Sequence, residues 1–198
     1  MSQLETEVSL VFPAYNEAKD IGRAVEAALV ELRKASPSFE IIIAEDGSSD
    51  GTDAEADRLA AAHPEVRHLH SAERLGRGRA LNIAFKESRG SILVYMDVDL
   101  ASDITQLRAL VDSIRGGADI ATGSRMLPGS RVKRSLRRSF ASWCYNTLIR
   151  LLFHTPVHDH QCGFKAFKRE SLMEYMDEVE DTHWFWDTEI QPVGLVWR

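Results

Sequence analysis

The chain has 198 residues, 44% hydrophobic and 27% charged, which suits an ordinary folded domain with one substantial core. Its net charge of −6 argues against a general nucleic-acid surface. Two cysteines, Cys144 and Cys162, are too few for a disulfide framework, so a reducing, cytoplasmic setting is expected. The N-terminus reads as lacking a signal peptide, and no run of about 18 apolar residues predicts a helix crossing a bilayer.

Taken in order, Val8 to Phe12 reads as a first strand. It runs into Pro13-Ala-Tyr-Asn-Glu17, where Pro13 limits pairing and Asn16 is placed to cap the next helix. That helix carries Ile21, Ala24, Val25, Ala28, Leu29 and Leu32 on one face and closes before Pro37. Phe39 to Ala44 is a second, continuously apolar strand, as expected of a parallel strand buried on both faces. It ends in Glu45-Asp-Gly-Ser-Ser-Asp-Gly-Thr52. A helix over about Asp53 to Ala62, a short strand over Val66 to Leu69 and a helix through Leu81, Ala84 and Phe85 follow. A strand over Ile92 to Met96 stops at two carboxylates, Asp97 and Asp99. Ile104 to Ile114 reads as a helix and Asp119 to Thr122 as a short strand ending at Gly123-Ser-Arg125.

Alternating strands and helices predict an α/β fold, Rossmann-like, with a mainly parallel sheet flanked by helices on both faces. Such a sheet gathers its strand ends on one rim. That rim would hold 13–17, 45–50, 97–99 and 123–125. Asp97 and Asp99, at i and i+2, can both reach beyond their strand. Two carboxylates there call for a counter-charge, and Mg²⁺ or Mn²⁺ carrying substrate phosphates would supply it. An isolated Asp-x-Asp can also be a polar turn. Asp46 can accept from a nucleobase N–H or belong to a turn that caps the next helix. Arg74, Arg77 and Arg79, interleaved with Gly76 and Gly78, suit phosphate or form a solvated basic turn.

The second half differs. Seven basic residues and no acid lie between Arg125 and Arg150, followed by an acidic last stretch. Leu136, Phe140, Trp143, Leu148, Leu151 and Leu152 recur at helical spacing, which fits an interfacial helix on an anionic membrane or an ordinary core helix. His154, His158, His160 and Cys162 match no closed structural zinc site and read as a polar loop beside a phosphate site. Gly163 to Phe167 alternates as a strand, and Trp184 to Glu189 adds aromatics and acids.

Seven motifs then stand in order: 11–17, 45–52, 74–80, Asp97-Val-Asp99, Gly123-Ser-Arg125, 159–165 and Trp186-Asp-Thr-Glu189. Together they resemble family 2 glycosyltransferases over about residues 7 to 190, and most of all the polyprenyl- or dolichyl-phosphate hexose synthases of glucosyltransferase or mannose synthase type. The resemblance implies one GT-A domain over 1–198, with a nucleotide-sugar half to about 125 and an acceptor half over about 126–198. It implies an inverting hexose transfer from a UDP- or GDP-sugar to dolichyl or polyprenyl phosphate.

It also implies site residues. Pro13, Ala14, Tyr15, Glu17, Asp46, Ser48, Gly76, Arg77, Asp97 and Val98 would hold the donor nucleotide. Asp97 and Asp99 would hold Mg²⁺ or Mn²⁺. Arg125, Arg131 and Arg138 would meet the acceptor phosphate. Gln161, Trp186, Asp187 and Glu189 would form the sugar end, and Asp99, Asp159 and Arg125 would act in catalysis. Relatives of this type continue further after the position of Glu189, so a C-terminal part that is truncated or incomplete is expected. The enzyme would be peripheral at the membrane or anchored by segments outside this chain. An anionic phosphate acceptor needs no general base. The rival readings are transfer to a sugar hydroxyl, with Asp159 or Asp187 as base, and a nucleotide-sugar sensor.

Overall fold

The computed structural model describes residues 6–123, 146–147, 159, 162–179, 181 and 186–190. Their backbone is organised on a six-stranded sheet. The strands are β1 (Val8–Ala14), β2 (Phe39–Asp46), β3 (Val66–Ser71), β4 (Ile92–Met96), β5 (Ile120–Thr122) and β6 (Phe164–Lys168), in the spatial order β3-β2-β1-β4-β6-β5. The helices are α1 (Ile21–Ala35), α2 (Thr52–Ala62), α3 (Arg77–Glu87), α4 (Leu107–Arg115), α5 (Arg169–Tyr175) and the short α6 (Trp186–Glu189). The basic stretch with Arg125, Arg131, Lys133, Arg134, Arg137 and Arg138, the amphipathic segment after it apart from Asn146 and Thr147, and Gln161, His154, His158 and His160 lie outside the described residues.

The first four strands are mutually parallel, as their apolar runs predicted. β6 then inserts antiparallel between β4 and β5. β5 therefore runs the same way as β4, and its end at Gly123 reaches the same rim, although the two strands are not neighbours. The Gly123 amide donates to the Phe164 carbonyl, and the Asp97 amide donates to the Gly163 carbonyl. The start of β6 is thereby fastened beside the carboxylates.

Strand alternation divides the apolar residues into two cores. One face sends Leu10, Phe12, Ile41, Ile43, Val94 and Met96 against α1, α2 and α4. The other sends Val11, Ile42, Leu93, Tyr95 and Phe167 against α3, α5 and Trp186. The period of α1 buries the seven residues Ile21, Ala24, Val25, Ala28, Leu29, Leu32 and Ala35.

Two local expectations are revised. β1 continues through Pro13 to Ala14. Its pairing with β2 includes Pro13, while pairing with β4 stops at Val11, so the missing proline N–H falls where the β4 ladder has already ended. Asn16 does not cap α1. With φ at 57°, it turns toward the 48–52 loop: its amide donates to Ser48 Oγ, and its Oδ1 accepts from the Ser49 amide. The Glu17 and Ala18 amides donate to Thr52 Oγ1 and Asp50 Oδ2. Two rim loops from unrelated parts of the chain are thus joined by four hydrogen bonds.

Candidate active site

The rim opens into a pocket of about 570 Å³ lined by Pro13, Ala14, Tyr15, Glu17, Asp46, Arg74, Gly76, Arg77, Ala80, Asp97, Val98 and Asp99. Every residue expected to hold the donor lines it except Ser48, which braces Asn16 behind it. Arg74 and Ala80 are additional walls. The Arg74 guanidinium stacks 3.8 Å above the Tyr15 ring, setting a cation and an aromatic face side by side.

Asp46 ends β2 and shapes the pocket floor. Its two carboxylate oxygens accept from the Leu75 and Gly76 amides at 2.6 and 2.9 Å. These bonds draw the start of α3 toward the rim, so the alternative of a turn that only caps the next helix is not the whole of its role. Gly47 has φ +69°, and a Cβ there would lie 2.7 Å from the Arg74 amide nitrogen, so the close approach of the two loops requires glycine. The N-cap position of α2 is Gly51, without a side-chain cap bond, and Asp50 just before it accepts from the Thr52 amide and hydroxyl.

Asp97 and Asp99 lie at the mouth. Asp99 is exposed and accepts from the Ala101 amide at 2.9 Å. The Asp97 side chain is 40% exposed toward the pocket but closely surrounded elsewhere. Desolvation on its protein side, aided by the nearby Asp187 and Asp99 charges, outweighs Arg77 and raises its carboxyl above the ordinary range. Burial, with Asp20, Asp99, Asp50 and Asp97 around it, likewise raises Glu17. Among the described residues, Glu17, Asp46, Asp97 and Asp99 line the pocket beside two cations, Arg74 and Arg77. A hard divalent ion fits this oxygen-rich set, with Asp97 and Asp99 as the carboxylates to hold it. Gly163 packs directly on Asp97; a Cβ at that position would overlap the carboxylate.

Beneath the mouth lies a second, closed set of charges. Arg77, 13% exposed, donates to Asp97 Oδ1 at 2.8 Å and to Asp187 Oδ2 at 2.7 Å. The reading of a solvated basic turn therefore does not hold for Arg77. Lys165 is fully buried; its Nζ donates to Asp187 Oδ1 at 3.2 Å, Tyr95 Oη at 2.9 Å and the Cys162 carbonyl at 2.6 Å. The Tyr95 hydroxyl also donates to Asp187. Burial works against the Asp187 charge, yet Lys165, Arg77 and Tyr95 hold its carboxyl below the usual range. Burial also opposes the Arg77 charge, but Asp187, Tyr95 and Asp97 keep its guanidinium above the ordinary arginine range. The Tyr95 hydroxyl is pushed well up by burial and by Asp187.

The residues expected at the sugar end are distributed differently. Asp187 joins this buried network. Trp186 is fully buried among Phe85, Tyr95 and Phe167, and its Nε1 donates to Asn82 Oδ1, so its ring has no open face for a sugar. Glu189 accepts from the Asp181 amide while Asp181 accepts from the Trp186 amide, which fastens α6 in place. Asp159 is fully buried, and its carbonyl accepts from the Cys162 amide. Arg125, Arg131, Arg138 and Gln161 lie outside the described residues. Sequence reasoning assigned no role to Lys165 or Tyr95. A signal was present: Phe164-Lys-Ala-Phe places a lysine on an inward strand face, and a buried lysine requires a carboxylate.

Comparison with known proteins agrees with this geometry. The profile described as Glycosyl transferase family 2 matches residues 9–176. Glycosyltransferase AglD of Haloferax volcanii is 50% identical over 93% of this chain and 30% of its own length. Polyprenol monophosphomannose synthase of Mycolicibacterium smegmatis is 37% identical over 82% of this chain and 62% of its own. A dolichyl-phosphate beta-glucosyltransferase of Trichomonas vaginalis is 32% identical over 96% and 60%. The chain thus spans between about a third and three-fifths of these relatives. Among solved structures, a mannosyltransferase of Pyrobaculum calidifontis in complex with GDP-Man and Mn²⁺ superposes with a TM-score of 0.65 at 24% identity, over 98% of this chain and 54% of that one. That likeness shows the GT-A fold.

Proposed function

The chain belongs to glycosyl transferase family 2, and we propose that it supplies the donor site of an inverting, metal-dependent hexosyltransferase. In this reading the donor is a UDP- or GDP-linked hexose and the acceptor is dolichyl or polyprenyl phosphate at a membrane surface. The observation that carries it is the pocket mouth, where Glu17, Asp97 and Asp99 gather beside Arg74 and Arg77 among the described residues.

A Mg²⁺ or Mn²⁺ ion held by Asp97 and Asp99 would stabilise the leaving diphosphate as a Lewis acid. The other tasks fall to this chain's residues. Tyr15, with Arg74 over its ring, offers a flat surface for a nucleoside, and Asp46 and Gly76 bound the same wall. Arg77 fixes Asp97 against the network below, so that this carboxylate is presented in one orientation. The names of the polyprenol and dolichyl-phosphate relatives support a lipid-phosphate acceptor. The acid-free basic stretch from Arg125, including Arg131 and Arg138, is suited to attract such an anion. Among the described residues no helix is long and apolar enough to cross a membrane. Membrane association in this reading rests on the acceptor and on that basic stretch.

Transfer to a sugar hydroxyl would call for a general base. Asp187 suits that role poorly, because Lys165, Arg77 and Tyr95 already occupy and acidify it. The test is incorporation of radiolabelled sugar into organic-extractable lipid. UDP-glucose, UDP-GlcNAc and GDP-mannose are offered in turn with dolichyl phosphate and Mg²⁺ or Mn²⁺. Acid-labile labelled lipid from one donor is expected. Donor binding without labelled lipid would overturn the lipid-phosphate acceptor.

A further inference from the structure

A separate group of donors lies on the opposite face of the sheet edge from Asp46. β2 and β3 pair with Glu45 opposite His70 and Ile43 opposite His68. Parallel partners share a face, and i, i+2 residues repeat it, so Glu45, His70 and His68 all project to one side. Ile43 and Val66 on that face pack in the core that includes Ala56 and Leu59 of α2. The first turn of α2 brings Asp53 over the same spot. His70 Nδ1 lies 2.6 Å from Glu45 Oε2 and 3.1 Å from Asp53 Oδ1, and His68 Nε2 lies 3.6 Å from Asp53 Oδ1. One donor atom from each of the four residues falls within 4.8 Å of all the others.

His70 is hydrogen-bonded as well as ion-paired, whereas His68 Nε2 reaches Asp53 only at ion-pair distance. The His68 side chain is 7% exposed, and its Nε2 has no hydrogen-bond partner among the described residues. Its other nitrogen, Nδ1, is 2.8 Å from Asp57 Oδ1. That contact orients the ring with Nδ1 toward Asp57 and Nε2 into the cluster. Metal-bound histidines are oriented in this way, by a carboxylate on the far nitrogen. A buried ring nitrogen left without a hydrogen-bond partner is costly.

We propose that Glu45, Asp53, His68 and His70 bind a divalent transition ion of the zinc class, with Asp57 orienting His68. Two imidazole nitrogens and two carboxylate oxygens form a set that suits four-coordinate Zn²⁺. They suit Mg²⁺ poorly, since it requires near-octahedral oxygen ligands. Binding displaces the proton that His70 Nδ1 shares with the two carboxylates. The site joins the end of β2, β3 and the start of α2. Glu45 Oε1 also accepts from the Ser48 amide, so the ion braces the turn that supports the donor pocket. The proposal is independent of the transfer reaction and of the Asp97–Asp99 pair.

The test is titration of purified, chelator-treated protein with Co²⁺ and then Zn²⁺, followed by visible d–d absorption and thermal melting. About one equivalent of Co²⁺ is expected to give a four-coordinate spectrum that Zn²⁺ abolishes. Zn²⁺ at a hundredfold excess over its Kd should raise the melting temperature by about 5–10 °C. His68→Gln and His70→Ala should each weaken Zn²⁺ binding at least about tenfold, whereas Asp99→Asn should leave it unchanged. Should His68→Gln fail to fold by circular dichroism, His70→Ala, at an exposed position, decides alone. A spectrum that stays that of the hydrated ion, binding unaffected by either histidine variant, or binding lost in Asp99→Asn overturns the proposal.

Discussion

The mouth of the pocket and the network directly beneath it use the same residue types to opposite ends. Below, Arg77, Lys165 and Tyr95 surround Asp187, and each charged group has an opposite partner within 3.2 Å. Above, Glu17, Asp97 and Asp99 line one pocket, and among the described residues the cation bonded to them is Arg77, on Asp97. The lower set is complete in the protein itself and holds geometry. In the proposed reading, the upper set is completed by a cation. Arg77 belongs to both and transmits the rigidity of one to the other.

The contrast is broken most severely at its base. Lys165→Met leaves Asp187 buried with one fewer cation and should cost about 3–5 kcal/mol in a denaturant titration. A loss below about 1 kcal/mol would mean that Arg77 alone balances Asp187. Acid should erase part of the same difference. Asp187 has a depressed folded pKa, so its contribution is present above about 4 and is lost as pH falls through the folded value. The stability gap between the wild type and Asp187→Asn should therefore narrow below about pH 4, and a gap independent of pH would remove ionised Asp187 from the account.

Tyr95→Phe keeps the aromatic packing with Phe167 and Trp186 while deleting the hydroxyl bonded to Lys165 and Asp187. A cost of about 1–2 kcal/mol is expected in the same titration. At the mouth the effect on stability should nearly vanish. Asp99→Asn lies at an exposed position and can retain the Ala101 contact, so the fold should change by less than about 0.5 kcal/mol. Stability equal to the wild type together with lost metal-dependent donor binding would separate the two regions by function.

The fold and the upper region were legible in the sequence for a simple reason. Apolar runs that end abruptly in acids, glycines and proline mark strand ends, and parallel strands place those ends on one rim. That placed Asp46, Asp97 and Asp99 on the rim, and the family resemblance of the ordered motifs supplied their expected roles. The lower region was harder to read because its members lie far apart in the chain, from Arg77 to Asp187. The insertion of β6 antiparallel between β4 and β5 brings Lys165 next to Tyr95, and no local periodicity encodes that insertion. Trp186 shows a related limit: an aromatic beside acids is common both in sugar sites and in plain cores, and the ring here fills the core over Phe85. Asn16 showed the same limit at short range, since its partners are 32 and 33 residues away.

The most direct test is a calorimetric titration of UDP and GDP into the protein with Mn²⁺ and with chelator, in the wild type and Asp99→Asn. The account predicts that Mn²⁺ strengthens binding of one diphosphate at least about tenfold in the wild type and has no such effect in the variant. Equal affinity with and without Mn²⁺, or a full Mn²⁺ effect in Asp99→Asn, would contradict the claim that the carboxylates of the pocket mouth are the metal and diphosphate site.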